Sequence, residues 1–540
     1  MKHLRARAAA SIAGVLVVAT MAACGDSSAG ESSRNGQPGD PVTVALTSDW
    51  QTMDHQVNPP NVMYWETGGY DRLTAVYNGV AVPYLATSWD VAPDNKSVTF
   101  TLRRDAKCHD GTPVTPKVVA DSFDRLFTVP KKGINMTQTF GAGPLSVAAD
   151  GEDWTVTIST ETPFRALVEG VSSGEASIVC PAGLADPEAL QTGFFGSGPY
   201  FLESAQHGDA IALDKNPDWM WGPVVDGKQV TAADLPDRQT WKIIADQTTA
   251  ANSLQTGIVS VARLSGPDVK RFEDTDEFSV ERVPLNFPLT MSFQQGPGHS
   301  TSDPALRNAL SLAVDPASLA KSRATDGSAI ELVTSFVDSE HPCYDPTTAD
   351  LYPSGGTENA KQVLTDAGYT GVGSKLTAPD GTPVTVRIVT NPAYTSQAGP
   401  YLLDAFKPLG IDAELSNVEA ATAQKLTYSG QQDVGISLGT ASFDDPAGSI
   451  IEYYAGTPIS EGGLNTYGPP PSVDPAWNKL ITDALASSDC APWIEAQRHA
   501  LNRSILLPIA QADWVRVTTP SVEVASGFYF YEPWTIRNAS

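Results

Sequence analysis

The sequence predicts an α/β protein built from several structural units. Its 540 residues correspond to about two to four domains at the usual domain length. Short segments of period-two hydrophobicity alternate with segments of helical period, most clearly after residue 300, which is the pattern of sheets covered by helices. A content of 11 Trp, 16 Tyr and 17 Phe supplies enough large apolar surface for folded cores rather than disorder.

The chain opens with a basic end (Lys2, Arg5, Arg7) and an apolar run from Ala8 to Ala19 broken only by Ser11 and Gly14. That run is too short for a bilayer-crossing helix, which needs about 20 residues. With the small residues Ala22 and Ala23 behind it, it reads as a secretory signal over 1–23. Met21-Ala-Ala-Cys24 resembles a bacterial lipobox, which implies a diacylglyceryl group on Cys24 as the first mature residue. Residues 24–40 are almost wholly Gly, Ser, Asp, Glu, Asn, Gln and Pro, a composition suited to a flexible tether. Two acyl chains suffice for stable anchoring without a membrane-spanning helix. The expected location is the extracytoplasmic face of a bacterial cell membrane.

Val42–Leu46 alternates as a strand entering the fold from the tether. A loop containing Pro59 and Pro60 follows, then a helix from Val62. Ser97–Arg103 and Trp154–Ile158 read as half-buried antiparallel strands, with a helix over 118–128 between them, striped by Val119, Phe123, Leu126 and Phe127. Asp303-Pro304 and Asp474-Pro475 are helix starts, with an N-cap aspartate and proline at the first helical position. Thr357 is expected to cap a helix that ends at Ala367, with Gly368 terminating it. Strands at Val384–Ile388 and Asp433–Leu438 flank a helix around Leu402–Phe406.

Composition also excludes functions. With 35 Lys and Arg against 62 Asp and Glu, the net charge is −27, which argues against nucleic acid and against a polybasic attachment to lipid. Cys24 is then the only membrane contact. The remaining cysteines, Cys108, Cys180, Cys343 and Cys490, are an even set in an exported protein and suggest disulfides, with three connectivities open. No metal site is expected, since no cysteine pair or histidine pair has ligand spacing, and no cofactor is expected. Catalytic motifs are also missing: Ser197 lacks the glycine two residues earlier that a nucleophile elbow needs, and no phosphate-binding glycine loop occurs. His109-Asp110 fits a turn better than an acid/base pair, and Asp444-Asp445 precedes Pro446 as a loop rather than a convergent carboxylate pair. The residues themselves argue against an enzyme.

Several segments carry a family resemblance in order. Pro83-Tyr-Leu-Ala-Thr-Ser-Trp-Asp90 is followed by Leu102-Arg-Arg-Asp-Ala-Lys-Cys-His-Asp-Gly-Thr-Pro-Val-Thr115. Further along come Gly196-Ser-Gly-Pro-Tyr200 with Asn216-Pro-Asp-Trp219, Asp303–Asp315, Ala360–Tyr369 and Leu409–Asp412. Together they resemble the family 5 extracellular solute-binding proteins, the oligopeptide, dipeptide and nickel receptors of ABC importers. Cys108 stands where that pattern has Phe.

The resemblance implies a two-lobed periplasmic-binding-protein-like fold (type II, cluster C). Lobe I would comprise 41–290 plus 506–540, with an extra subdomain at 73–190, and lobe II would comprise 291–505. Under that layout Cys108–Cys180 and Cys343–Cys490 are the favoured pairs, because each closes a loop inside one unit. The implied partners are a small-molecule or peptide ligand and the permease subunits of an importer, with the receptor a monomer. Ligand contacts are expected from Asp49, Trp50, Asn58, Asn61, Asn286 and the stretch Gly439, Thr440, Ser442, Phe443, Asp444. Core packing competes for Trp50 and Phe443, and Trp65, Trp89 and Trp154 are expected in the core. In peptide-binding members the matching stretch supplies an aspartate that holds the peptide ammonium. Alignment on Asp445-Pro446 puts Ser442 there, leaving Asp444 as the substitute anchor. A peptide, a sugar, a siderophore-like load and a metal chelate therefore all stay open, as does a secreted hydrolase from a different class.

Overall fold

The computed structural model describes residues 37–539 apart from 38, 48, 51, 58–64, 130–135, 142, 265, 274, 285–287, 324–330, 338, 340–342, 391–396, 419, 439–453, 459–460, 462–464, 488, 512 and 528–531. The signal segment, Cys24 and the tether up to residue 36 thus lie outside the described residues.

Strand β1 (Val42–Leu46) begins the fold as expected. Val42, Val44 and Leu46 join the largest core while Ala45 enters a separate one. Both faces of β1 are therefore covered, as befits a central strand with parallel neighbours. The chain then builds an antiparallel sheet from β2 (Ala86–Val91), β3 (Ser97–Leu102), β4 (Leu145–Asp150) and β5 (Thr155–Thr160), in the order β2-β3-β5-β4. Helix α1 (Pro116–Thr128), capped by the Thr115 side chain, packs on it through Val119, Phe123 and Leu126. Trp154, expected to start a strand, instead sits just before β5 with φ near +60°. Its indole Nε1 donates to Arg103 O at 3.0 Å.

Strands β6 (Tyr200–Gln206), β7 (Ala210–Lys215), β8 (Arg238–Ile243), β9 (Val261–Leu264) and β10 (Ser279–Pro284) return to β1, with helix α2 (Gln247–Gln255) between β8 and β9. The chain then crosses into a second sheet through β11 (Leu289–Phe293). Helices α3 (Pro304–Ala313) and α4 (Gly356–Asp366) follow, then β12 (Thr385–Thr390), α5 (Ala398–Phe406), β13 (Asp412–Asn417) and β14 (Val434–Leu438). The two Asp-Pro starts are real caps: Asp303 accepts from Ala305 N at 2.8 Å, and Asp474 accepts from Trp477 N at 2.9 Å at the head of α6 (Pro475–Ala486). Thr357 caps nothing, because α4 begins one residue earlier at Gly356. Gly368 does end the segment, at φ +84°, where a side chain would be strained.

After α7 (Ala491–Asn502), β15 (Leu506–Ala510) completes the second sheet, in the order β13-β12-β14-β11-β15, and β16 (Asp513–Thr518) rejoins the first, in the order β10-β16-β9-β1-β8-β7-β6. The changes of sheet therefore fall between Pro284 and Leu289 and between Ala510 and Asp513, against the expected 290/291 and 505/506. Strand periodicity shows that 289–293 and 506–510 are strands but not which sheet they join. Their mutual pairing decides it.

The four-stranded sheet also touches the 291–505 region away from these crossings. Asn95 Nδ2 donates to Ala486 O at 3.0 Å, and Arg165 N donates to Leu485 O at 3.0 Å. These satisfy the carbonyls that the end of α6 leaves open. Both favoured cysteine pairs are bonded, Cys108 to Cys180 and Cys343 to Cys490, with Cα–Cα distances of 6.1 and 5.0 Å.

Candidate functional site at the facing strand ends

Strand directions locate the site. β1 runs parallel to β8 and β9. Because β9 and β10 are both antiparallel to β16, β10 shares their direction. Its carboxyl end is where the chain crosses to the second sheet. There, Leu438 pairs with Leu289, so β14 points its carboxyl end back at the same crossing, as do β12 and β13, which continue its parallel run. Pro284 pairs with Asp513 and Leu289 with Ala510, so the two crossings lie side by side. Two sheets thus aim the carboxyl ends of their parallel strands at one pair of connecting segments. In open α/β sheets those ends are where ligands bind.

At the end of β1, Asp49 is fixed by two backbone donors. Its Oδ1 accepts from Trp50 N at 2.9 Å and its Oδ2 from Gly208 N at 2.9 Å. Gly208 lies in the β6–β7 turn, which sits at the carboxyl end of β8 because Ala210 pairs with Lys242. Trp50 is 6% exposed. Its indole meets the fully buried Trp65 edge-on, with centroids 5.9 Å apart, and is covered by the His207 ring at 4.2 Å and 18°. Beside it, Asp246 caps α2 by accepting from Thr249 N at 2.8 Å. On the second sheet, Thr390 at the end of β12 donates to Asn417 Oδ1 at 3.2 Å.

Of the residues singled out from sequence, Asp49 and Trp50 are adjacent at this end. Asn58, Asn61, Asn286, Gly439, Thr440, Ser442, Phe443 and Asp444 lie outside the described residues. The sequence reading missed His207. Only its place in a Gln-His-Gly-Asp turn between two strands marked it, and nothing local says that this turn folds onto Trp50. Trp65 is fully buried, while Trp89 and Trp154 are half-buried against the largest core.

The titratable groups away from these ends serve the scaffold. His109 Nε2 lies 3.1 Å from Gly198 O, and burial lowers its pKa to about 4. Asp110 accepts from Thr112 N at 2.9 Å across a turn whose Gly111 has φ +85°. Ser197 is fully buried. His55 is buried with Nε2 3.0 Å from Ser177 O, and desolvation lowers its pKa to about 4 as well. Asp71, wholly buried, accepts from the Tyr84 hydroxyl, Trp219 Nε1 at 3.1 Å and Trp221 Nε1 at 2.7 Å. Burial pushes its pKa up to about 6 against the pull of those donors. Among the described residues no group of three or more His, Cys, Asp or Glu is placed to hold a metal ion.

Comparison with known proteins adds to this geometry. Residues 80–461 match the family described as bacterial extracellular solute-binding proteins, family 5 Middle. A probable D,D-dipeptide-binding periplasmic protein of Escherichia coli is 31% identical over 201 residues, covering 34% of this chain and 37% of that protein. A probable peptide ABC transporter periplasmic-binding protein of Sinorhizobium fredii is 28% identical over 356 residues, covering 62% of each. The chain therefore spans less than two thirds of the length of either relative. Among solved structures, a substrate-binding protein from Microbacterium hydrocarbonoxydans in complex with 4-hydroxybenzoate hydrazide superposes with a TM-score of 0.76 at 22% identity, covering 93% of this chain and all of that one.

Proposed function

As the chain belongs to the bacterial extracellular solute-binding proteins of family 5, we propose that it is the receptor of an ABC importer, held at the outer face of the cell membrane by lipid on Cys24. It captures a peptide or peptide-like compound between two lobes and presents it to the permease. The observation that carries this reading is the paired crossing: two sheets aim their strand ends at one another, and the chain passes between them twice, from Pro284 to Leu289 and from Ala510 to Asp513, with both flanks paired. Such a pair of short connections is the arrangement in which a few residues absorb a hinge rotation while both lobes stay rigid. A ligand touching both lobes stabilises the closed state by its extra contacts there.

Two of the relatives above are described as dipeptide- or peptide-binding, which favours a peptide. Ser442 favours the second reading, a non-peptide load such as a sugar, a siderophore-like compound or a metal chelate. A serine cannot neutralise an ammonium, and an unpaired buried cation costs several kcal/mol. No helix among the described residues is long and apolar enough to cross a membrane, which leaves the Cys24 lipid as the proposed anchor.

A thermal-shift screen of the full-length protein against peptides, N-blocked peptides, sugars and metal chelates tests the reading. A ligand at one hundred times its dissociation constant should stabilise the fold by about 2.7 kcal/mol. Tight binding of free-amino-terminus peptides that Asp444→Ala abolishes would make Asp444 the ammonium anchor. Equal binding of N-blocked peptides would show a site not built for an ammonium. Silence from every class, together with turnover of any substrate, would sink the receptor reading.

A further inference from the structure

At the carboxyl end of β1 a rigid ring is covered by a loosely held one. The Trp50 indole is locked by burial and by the edge of Trp65. Asp49 beside it accepts from two backbone donors, Trp50 N and Gly208 N, neither of which belongs to the His207 ring. The ring that does lie there, His207, is stacked at 4.2 Å, yet its side chain is 65% exposed. Its Nδ1 stands 3.2 Å from Asp49 Oδ2, a solvent-exposed contact of the kind that holds a side chain only weakly. An aromatic face with a fixed carboxylate at its rim is a recognition element for a flat cation that also donates N–H bonds.

We infer that Asp49 and Trp50 form a subsite for a planar nitrogen cation on the transported solute, a guanidinium or imidazolium group, and that the His207 ring occupies this subsite until the solute displaces it. The internal occupant defines the chemistry: a flat N–H-bearing ring already satisfies the indole face and the carboxylate together. A lysine ammonium would meet the carboxylate but not cover the face, since it is a compact, strongly hydrated point charge. The inference deepens the receptor reading and rests on it for the claim that the solute arrives between the lobes.

The test uses the full-length protein and three tripeptides, Ala-Arg-Ala, Ala-Lys-Ala and Ala-Leu-Ala, by isothermal titration calorimetry. In parallel, the imidazole nitrogen signals of His207 are followed by NMR while N-acetylarginine methylamide or N-acetyllysine methylamide is added. Ala-Arg-Ala should bind about fivefold tighter than Ala-Lys-Ala, the size of a partly desolvated cation–π contact. His207→Ala should widen that preference, because the competing ring is gone. The arginine amide should shift the His207 signals and the lysine amide should not. Equal binding of the Arg and Lys tripeptides with unmoved His207 signals would overturn the subsite and leave the receptor reading standing. Failure of all three tripeptides, with His207 still displaced by the arginine amide, would remove the peptide reading and keep the subsite. Failure of both would remove the subsite.

Discussion

Asp71, on the side of the first sheet (lobe I), and Asp433, beside the second sheet (lobe II), are both buried, and they are held in opposite ways. Asp71 in lobe I is surrounded by neutral donors, two indoles and a phenol. Burial dominates, and its pKa rises to about 6. Asp433 in lobe II sits just before β14. Burial would raise its pKa too, but Arg387 forms a fork on it with contacts of 2.8 and 2.9 Å, and His299 Nδ1 lies 2.6 Å away. The backbone N of Arg387 adds a third donor at 2.8 Å, and the carboxyl falls to about 2. Depth alone therefore does not set the charge of a buried acid. A cation in a fork outweighs desolvation, whereas three neutral donors do not. Lobe I pins its aromatic core with an acid that is easily protonated, and lobe II pins the start of β14, the strand leading to Gly439 and Ser442, with one that stays ionised.

Breaking the comparison at Asp71 should have the larger effect. Asp71→Ala strands the Tyr84 hydroxyl and the Trp219 indole N–H inside the core, while Trp221 Nε1 keeps Ser197 O at 3.2 Å, and should cost about 4 kcal/mol at 1–3 kcal/mol per orphaned donor. Urea unfolding followed by tryptophan fluorescence measures it, and a loss below 1 kcal/mol would show that the indoles do not depend on the acid. Asp433→Ala should cost about 2–3 kcal/mol, less than a fully buried pair because Arg387 is 35% exposed and can turn to water. Limited proteolysis should place that loss in lobe II, around β12 and β14. Cuts in lobe I first would contradict the assignment.

The pH dependences should differ in sign. Asp71 has its folded pKa raised, so between about pH 6 and 4 the folded state holds a proton that the unfolded state has released, and acidification adds stability. Asp433 has its folded pKa lowered, so its contribution is full above about pH 4 and disappears as pH falls toward 2. His55 and His109 oppose Asp71 in the upper window, since both stay neutral in the fold down to about pH 4. The Asp71 effect is therefore read against Asp71→Asn, where the histidine contributions cancel. The stability advantage of the wild type over that variant should grow by about 1 kcal/mol from pH 7 to pH 5. A constant gap would mean that Asp71 is already neutral, or fully ionised, across the range.

Legibility from sequence followed the range of the forces involved. β1, β3, α1, α3 and α6 were readable because periodicity and a cap within four residues define each of them. Trp154 is misplaced by one residue and Thr357 by two at element ends, where a positive φ or an earlier helix start is set by neighbours. Asp71 gave no signal at all: Trp219 and Trp221 reach it from about 150 positions away, and only the folded sheet brings them together. The same holds at the site. Asp49 and Trp50 were visible as the end of the first strand, but His207 was not, because the contact depends on β7 pairing with β8. The expected boundaries at 290/291 and 505/506 follow strand propensity, whereas strand pairing decides which sheet a segment joins.

Capture by closure of two lobes about the two passages between the sheets, Pro284 to Leu289 and Ala510 to Asp513, changes the size of the molecule. Small-angle X-ray scattering of the full-length protein, with and without a saturating ligand from the screen, tests it most directly. The radius of gyration should fall with ligand and return to the larger value after ligand removal. Saturated binding, verified by calorimetry in the same samples, with identical scattering in both states would contradict it.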